Sequence, residues 1–181
     1  LRSLRISTSG VEKTDEKSLT STHFRQSVNR VRRLNDSLYF ADFGTSMGEG
    51  ESEQIALKPG DPDSLFTFGS YPESDLDADA RYFEYVKMNV SNPSGTRFAA
   101  FYFYHNLFKI YNERGELLAK VSVEDPYLEV PPNPETGERF SYRMAADATD
   151  EYIVTVGQTG HDRLQTLEIW TWGVNRSTER T

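Results

Sequence analysis

The sequence has no cysteine, so disulfide bonds, thiol nucleophiles and cysteine-ligated metal sites are excluded. It also lacks any uninterrupted apolar run of the about 18 residues that a membrane-spanning helix needs. Residues 1–10 contain no apolar core of signal-peptide length. Positive charge is in the minority, and the net charge of −8 makes nucleic acid and anionic membranes poor partners for the surface as a whole.

Aromatic residues are abundant instead, at 13% of the 181 residues, and many of them lie in short runs that read as strands. The clearest case is residues 91–123, where three such runs are separated by two short polar connections. The runs are RFAAFYFY, LFKIY and LLAKVSV, and the connections are His105-Asn106 and residues 112–115. This order of strand formers and turn formers predicts an antiparallel β-meander.

The first of these runs does not alternate between apolar and polar residues. Its large apolar side chains follow one another almost without interruption: Phe98, Phe101, Tyr102, Phe103 and Tyr104. A strand with one face in water should alternate, whereas a strand that is apolar on both faces must be covered on both. Four-stranded blades of a β-propeller meet this condition, because each blade lies between two neighbours.

Similar units precede and follow this meander. Aligning the second predicted strand of each unit at Leu38, Phe98 and Glu151 gives separations of 60 and 53 residues. A repeat of about 50 residues with four short strands is the period of propeller blades. The sequence therefore predicts a single all-β domain of about three antiparallel blades.

The predicted boundaries follow from composition. Residues 7–22 are rich in Ser and Thr and are interpreted as a mobile loop, preceded by an isolated strand at residues 4–6. Blades are expected at residues 23–70 and 81–123, with a partial blade at 139–173. Residues 174–181 are interpreted as a polar tail without a strand, which leaves the last blade without its fourth strand.

Several segments together resemble the TolB-like six-bladed β-propeller family of bacterial envelope proteins, over about residues 24–174. The segments are RLNDSLYFADFG, LFTFGSYPE, NPSGTRFAAFYFYHNLFKIYNERGELL and LEIWTWGV. The resemblance implies a six-bladed ring, a periplasmic or cell-surface location, a lipid anchor through a segment not present here, and no established enzymatic activity. The length corresponds to the C-terminal half of such a ring, so the rest of the propeller or a second chain is expected to close it.

Propeller geometry predicts which loops lie together. The loop between the second and third strands of each blade and the connections between blades share one end of the domain, and loops on a rigid scaffold often bind ligands. The residues predicted to form a ligand site there are His105, Asn106, His161, Asp162, Tyr71 and Glu73. The alternative is that the two histidines are turn residues in water, since their spacing matches no known metal motif.

The innermost strands would line a channel. Arg30 and Arg32 share one face of the first strand, and Arg33 points oppositely. Their guanidinium groups would meet either an anionic ligand or a carboxylate from another blade, such as Asp147. Internal ion pairing is the favoured interpretation.

Other motifs are incomplete. Residues 44–48 match the G-x-S-x-G pattern of a nucleophile elbow, but a second strand follows instead of a helix, so a glycine-containing hairpin loop is the better interpretation. Residues 75–79 begin like a calcium loop, but Ala80 stands where glycine is needed. No cofactor is therefore expected, with calcium bound in another geometry as the alternative.

Four aromatic residues, Tyr102, Tyr104, Trp170 and Trp172, form pairs two positions apart within strands, which favours core packing over a sugar-stacking platform. With no complete catalytic set, we expect a non-catalytic envelope propeller that binds a protein or glycan through one loop face. The alternatives are a metal-dependent hydrolase or lactonase-like propeller, and a structural subunit whose open edge pairs with another chain.

Overall fold

The computed structural model describes residues 2–7, 10–16, 28–43, 52–58, 61–123, 137, 139–159, 164–173 and 176–180. This part of the chain is mostly β, with one two-stranded sheet, three four-stranded antiparallel sheets and a short helix. The all-β prediction is therefore confirmed. The one helix within these ranges is too short to cross a lipid bilayer.

The N-terminal residues form a hairpin. Strand β1 (Arg2–Ser7) pairs antiparallel with β2 (Gly10–Glu16). The predicted strand at residues 4–6 is confirmed, but it is paired and not isolated, and the predicted mobile loop is wrong at residues 10–16. Residues 8–9 and 17–22 lie outside the described ranges. Composition gave the wrong prediction because the two strands of a hairpin hydrogen-bond through their backbones, whether or not their side chains are apolar.

Sheet I is a meander of four strands. They are β3 (Val28–Asn35), β4 (Leu38–Phe43), β5 (Ser52–Lys58) and β6 (Asp61–Ser70), in that spatial order. A turn follows β3, and the Asn35 side chain stabilises it by accepting a hydrogen bond of 2.9 Å from the Ser37 backbone N–H.

Sheet II is the meander predicted from residues 91–123. Its strands are β7 (Lys87–Ser91), β8 (Arg97–Tyr102), β9 (Leu107–Asn112) and β10 (Leu117–Ser122). Two details differ from the sequence interpretation. Phe103 and Tyr104 lie beyond the end of β8, and residues 78–84, expected to belong to the connection and the first strand, form helix α1 (Ala78–Glu84).

Sheet III has all four strands. They are β11 (Arg143–Ala148), β12 (Tyr152–Thr159), β13 (Leu164–Thr171) and β14 (Arg176–Arg180). The prediction that the last unit lacks its fourth strand is wrong, since β14 pairs with β13. An outermost strand needs only one neighbour and is often polar, so residues 174–181 carried no apolar signal for it.

Sheet II is covered on both faces. On one face, Phe98, Ala100 and Tyr111 pack against an apolar cluster of sheet I: Leu34, Leu38, Phe40 and Ala56. On the other face, an apolar cluster of β8 and β9 packs against sheet III: Ala99, Phe101, Phe108 and Ile110 against Ile153, Trp170 and Trp172. This confirms the expectation that β8 is buried on both sides, and sheet II lies between sheets I and III.

The first turns of the three sheets meet at one end of the stack. The Asn35 side chain donates to the Gly95 carbonyl at 3.1 Å, and Asp150 accepts from the Asn92 side chain at 3.1 Å and the Ser94 backbone at 2.9 Å. The hydrogen bonds from Ser94, followed by that from Asn92, lower the pKa of Asp150. These hydrogen bonds connect sheet I to sheet II and sheet II to sheet III at this end of the sheets.

Candidate functional site

Helix α1 lies in the connection between sheets I and II, at the end opposite the first turns. Asp77 begins it as an N-cap, since its carboxylate accepts a hydrogen bond of 2.8 Å from the Ala80 backbone N–H. The helix ends at Glu84, and Tyr85 is its C-cap. This placement brings Glu84 and Tyr85 beside the turn that joins β8 to β9.

Glu84 contacts two basic side chains with one carboxylate oxygen. Arg139 Nη2 lies 2.6 Å from Glu84 Oε1, and His105 Nε2 lies 2.8 Å from the same atom. The distance between His105 and Glu84 is that of an ion pair, but the two groups are not oriented to form a hydrogen bond. Burial raises the pKa of Glu84, but the hydrogen bond and charge of Arg139, with a smaller contribution from His105, outweigh it and hold this pKa below its usual value.

Aromatic rings surround this charge cluster. Tyr85 stacks on His105 with ring centroids 4.7 Å apart, and Tyr71 lies 6.1 Å from Tyr85. The Arg139 guanidinium lies 4.3 Å above the Tyr104 ring, within cation–π distance. We call this region the aromatic end: Tyr71, Glu84, Tyr85, Tyr104, His105 and Arg139, together with Phe83, which precedes Glu84 on α1.

Beneath the aromatic end lies a fully buried carboxyl group. Glu53 of β5 accepts hydrogen bonds from the Tyr102 hydroxyl, from the Tyr111 hydroxyl at 2.6 Å and from Lys109 Nζ at 2.9 Å. Lys87 Nζ lies 3.9 Å away. The contacts therefore join sheet I to three strands of sheet II.

The pKa values of three ionisable groups in this cluster are shifted from their usual values. Burial, followed by the charge of Glu53, raises the pKa of Tyr102 and of Tyr111 far above the usual phenol value, so both hydroxyls remain donors. Burial lowers the pKa of Lys109, although Glu53 acts in the opposite direction. Because each group is satisfied by another protein group, the cluster serves as a polar core that fixes the two sheets together.

A second buried ion pair stabilises sheet III against sheet II. Arg143 Nε donates to Glu168 Oε2 at 2.8 Å, and the Thr155 hydroxyl donates to the same oxygen at 3.0 Å. The Arg143 guanidinium also lies within 6 Å of three aromatic ring centroids: those of Phe101, Phe108 and Trp170. Arginine suits this position because its planar charge can stack on rings while it binds a carboxylate.

The structure brings together two of the six predicted loop residues. Tyr71 and His105 both contact Tyr85. Asn106 instead stabilises the chain locally by donating to the Val123 carbonyl at 2.8 Å, and Glu73 is exposed. His161 and Asp162 lie outside the described residues.

The predicted channel residues are not brought together. Arg32 and Asp147 are exposed on sheets I and III, on faces that do not meet, and the side chain of Arg30 is outside the described part of the chain. Arg33, also exposed, pairs with Asp36. Residues 44–48 lie outside the described ranges too.

Three of the four paired aromatic residues belong to the core, as predicted. Tyr102, Trp170 and Trp172 are buried, whereas Tyr104 is half-buried at the aromatic end. The partial calcium motif has another role, because Asp77 caps α1. The described residues contain no group of three His, Asp or Glu side chains placed to hold a metal ion.

Sequence reasoning missed the residues that organise the site. Glu84 and Tyr85 were placed in the blade predicted at residues 81–123, although an Asp at residue 77 followed by helix-forming residues was an available N-cap signal. Arg139 and Glu53 carried no such signal, because only the packing of distant strands gives them their partners. No family model, curated protein or solved structure matches the chain.

Proposed function

We propose that this chain is a non-catalytic interaction module that binds a protein ligand at the aromatic end. In this proposal, the three sheets are blades of a six-bladed, TolB-like propeller in the periplasm or at the cell surface. The meander order of each sheet and the two-sided packing of sheet II support the blade interpretation.

The observation that carries the proposal is the composition and exposure of the aromatic end. Phe83 on α1 is 61% exposed, and the half-buried Tyr104, His105 and Arg139 lie around the same charge cluster. Exposed aromatic residues beside arginine are typical of the few residues that supply most of the binding energy at protein interfaces. The hydrogen bond from Arg139 to Glu84 restrains both side chains before a ligand arrives, which lowers the entropic cost of binding.

A polypeptide fits this surface better than a glycan. Phe83 and the exposed Leu76 offer apolar area to an aliphatic or aromatic side chain. Arg139 remains 30% exposed, and a guanidinium carries five N–H donors, so it can bind a backbone carbonyl or a carboxylate besides Glu84. The expected ligand is therefore a segment with an apolar anchor next to an acceptor group.

A random-peptide display library, selected on the purified chain, tests the proposal. We expect selected peptides to lose at least about tenfold in affinity when Phe83→Ser or Tyr104→Ala is introduced, because the anchor surface is removed. The matched control is Leu118→Ser, since Leu118 is 50% exposed on β10 and lies away from the aromatic end.

Equal affinity of the selected peptides for the Phe83→Ser variant and the unmodified chain would contradict the proposal. A parallel glycan array covers the competing class of ligand. Glycan binding that depends on Tyr104, together with no peptide selection, would overturn the assignment of a protein ligand.

A further inference from the structure

Two basic side chains of the aromatic end share one carboxylate oxygen. Glu84 Oε1 lies 2.6 Å from Arg139 Nη2 and 2.8 Å from His105 Nε2. Among the described residues, no second carboxylate lies within ion-pair distance of either basic group. The charges of Glu84 and Arg139 cancel, so the net charge of the three groups depends on the protonation state of the imidazole.

The contact between His105 and Glu84 favours a positively charged ring. An unprotonated ring nitrogen has a negative partial charge, and at 2.8 Å it would repel the Glu84 oxygen. The two groups are not oriented to form a hydrogen bond, so their attraction depends on charge. Tyr85 stacks on the imidazole with ring centroids 4.7 Å apart, which restrains the ring in this position.

A histidine side chain changes its charge between about pH 5 and pH 8. Glu84 remains ionised over this range. Burial raises its pKa, but Arg139 and then His105 lower it further, so that the pKa lies below the ordinary value of 4.5. The three groups therefore have no net charge above this range and one net positive charge below it.

The other titratable and charged groups around the imidazole do not balance this added charge. They come from four parts of the chain: Glu84 and Tyr85 at the end of α1, Tyr104 in the turn between β8 and β9, Arg139 before β11, and Lys87 of β7. Lys87 is basic, and its ammonium group lies 3.9 Å from the buried Glu53 carboxyl. The added positive charge is therefore available to an anionic ligand.

Both basic groups are accessible to a ligand. The side chain of Arg139 is 30% exposed and that of His105 is 32% exposed. Arg139 places one face of its guanidinium on the Tyr104 ring and uses Nη2 for Glu84. Within the described contacts, other N–H donors at the edge of the guanidinium plane are left for a ligand, and a carboxylate that approaches in this plane forms strong, charge-assisted hydrogen bonds.

We propose that Arg139 and His105 bind a carboxylate of the ligand, and that the charge on His105 controls the affinity. This inference rests on the proposed function, because the carboxylate belongs to the peptide that binds at the aromatic end. It specifies the acceptor group of that peptide as a carboxylate and not a backbone carbonyl. Aspartate, glutamate and a C-terminus all supply this group, and each binds more tightly when His105 is cationic.

Three synthetic pentapeptides test the proposal on the unmodified chain. All contain one phenylalanine as the apolar anchor, and the next residue is glutamate in the first and glutamine in the second, both with an amidated C-terminus. The third has neutral side chains and ends at the phenylalanine with a free carboxylate. Shifts of the chain's amide NMR signals give the Kd of each peptide at about pH 5.5 and about pH 8.

We expect the glutamate peptide to bind at least about fivefold more tightly at pH 5.5 than at pH 8, whereas the glutamine peptide should show no such change. The third peptide shows whether a C-terminal carboxylate is equivalent to a side-chain carboxylate. This comparison uses no variant, so it does not depend on whether a variant folds.

Substitutions then assign the effect to residues. His105→Gln should abolish the pH dependence, since glutamine does not titrate in this range. His23→Gln is the matched control and should retain it, because the chain has three histidines. Arg139→Gln should weaken binding of the glutamate peptide at both pH values to the level of the glutamine peptide.

Four outcomes would overturn the proposal. They are no binding of any of the three peptides, equal Kd values for the glutamate and glutamine peptides, a preference for glutamate that does not change with pH, and a pH dependence that persists in His105→Gln. Failure here is distinguishable from failure of the proposed function. Library peptides whose binding depends on Phe83 but shows no preference for acidic residues would support the proposed function and refute this inference.

Discussion

Single residues in this chain gain their roles from neighbours that are distant in sequence. Glu53 is fully buried, yet two tyrosine hydroxyls and a lysine donate to its carboxyl oxygens. A buried polar group is tolerated only when such partners are present. The close approach of β6 to the Tyr111 side chain also requires a glycine at residue 69, because a Cβ there would lie 2.8 Å from the Tyr111 hydroxyl oxygen.

Gly95 allows a turn of sheet II to contact the first turn of sheet I. Its φ is +66°, and an added Cβ would lie 2.3 Å from the Leu34 carbonyl oxygen. We expect Gly95→Ala to lower the free energy of unfolding by at least about 3 kcal/mol, since a backbone penalty of about 1–2 kcal/mol adds to a steric clash. Urea denaturation measures the change.

Gly137 is the matched control for this prediction. Its φ is +67°, and a Cβ there would meet nothing within 4 Å. Gly137→Ala should therefore cost only the backbone penalty of about 1–2 kcal/mol. Equal losses for the two alanine variants would show that the contact with Leu34 adds no strain.

At the scale of elements, helix α1 illustrates how a short segment depends on its ends. A helix of seven residues is too short to be stable by itself, so capping and tertiary contacts must hold it in place. Asp77 provides the cap, and Glu84 ties the last turn to Arg139 and His105. The position of the aromatic end therefore depends on these contacts.

The lowered pKa of Glu84 makes this attachment sensitive to acid. A carboxyl group with a folded-state pKa below its ordinary value of 4.5 stabilises the fold above that value. The contribution is lost as the pH falls through the folded-state pKa. We expect Glu84→Gln to lower the free energy of unfolding at about pH 7 and to lower it less at about pH 3.

Chemical denaturation at the two pH values measures this difference. Glu73→Gln is the control, because Glu73 is an exposed glutamate in the same connection. It should change the free energy of unfolding by less than about 0.5 kcal/mol at about pH 7. A Glu84→Gln effect of the same size at both pH values would contradict an electrostatic role for Glu84.

At the scale of the whole molecule, apolar side chains packed between neighbouring sheets stabilise the fold. Phe98 stacks on Phe40 of sheet I at 4.5 Å, and Phe101 belongs to the cluster shared with sheet III. The two residues lie on one strand and point to opposite sides. Residues of a single strand thus hold three sheets in order.

Truncation on the two sides of β8 tests this arrangement. We expect Phe98→Ala and Phe101→Ala each to lower the free energy of unfolding by about 3–5 kcal/mol, because each leaves a cavity between sheets. Leu118→Ala, on the exposed part of β10, should change it by less than about 0.5 kcal/mol. A small loss for either phenylalanine would mean that its side of sheet II is not tightly packed.

The sequence predicted the elements whose patterns are local. The apolar run of β8 and the meander of sheet II both follow from neighbouring residues. Polar strands such as β14 and the hairpin β1–β2 were not predicted. Their pairing depends on backbone hydrogen bonds to a neighbouring strand, and composition carries little information about these.

The sequence predicted the end of the domain at which the candidate site lies, and it predicted two of the site's residues, Tyr71 and His105. It did not predict Glu84 or Arg139, which lie 55 residues apart and meet only after sheet II and α1 have formed. The sequence by itself determined that β8 must be covered on both faces, because its apolar residues leave no side for water. Only the tertiary structure decided which charges become partners, because ion pairs form between side chains that folding brings within a few ångströms.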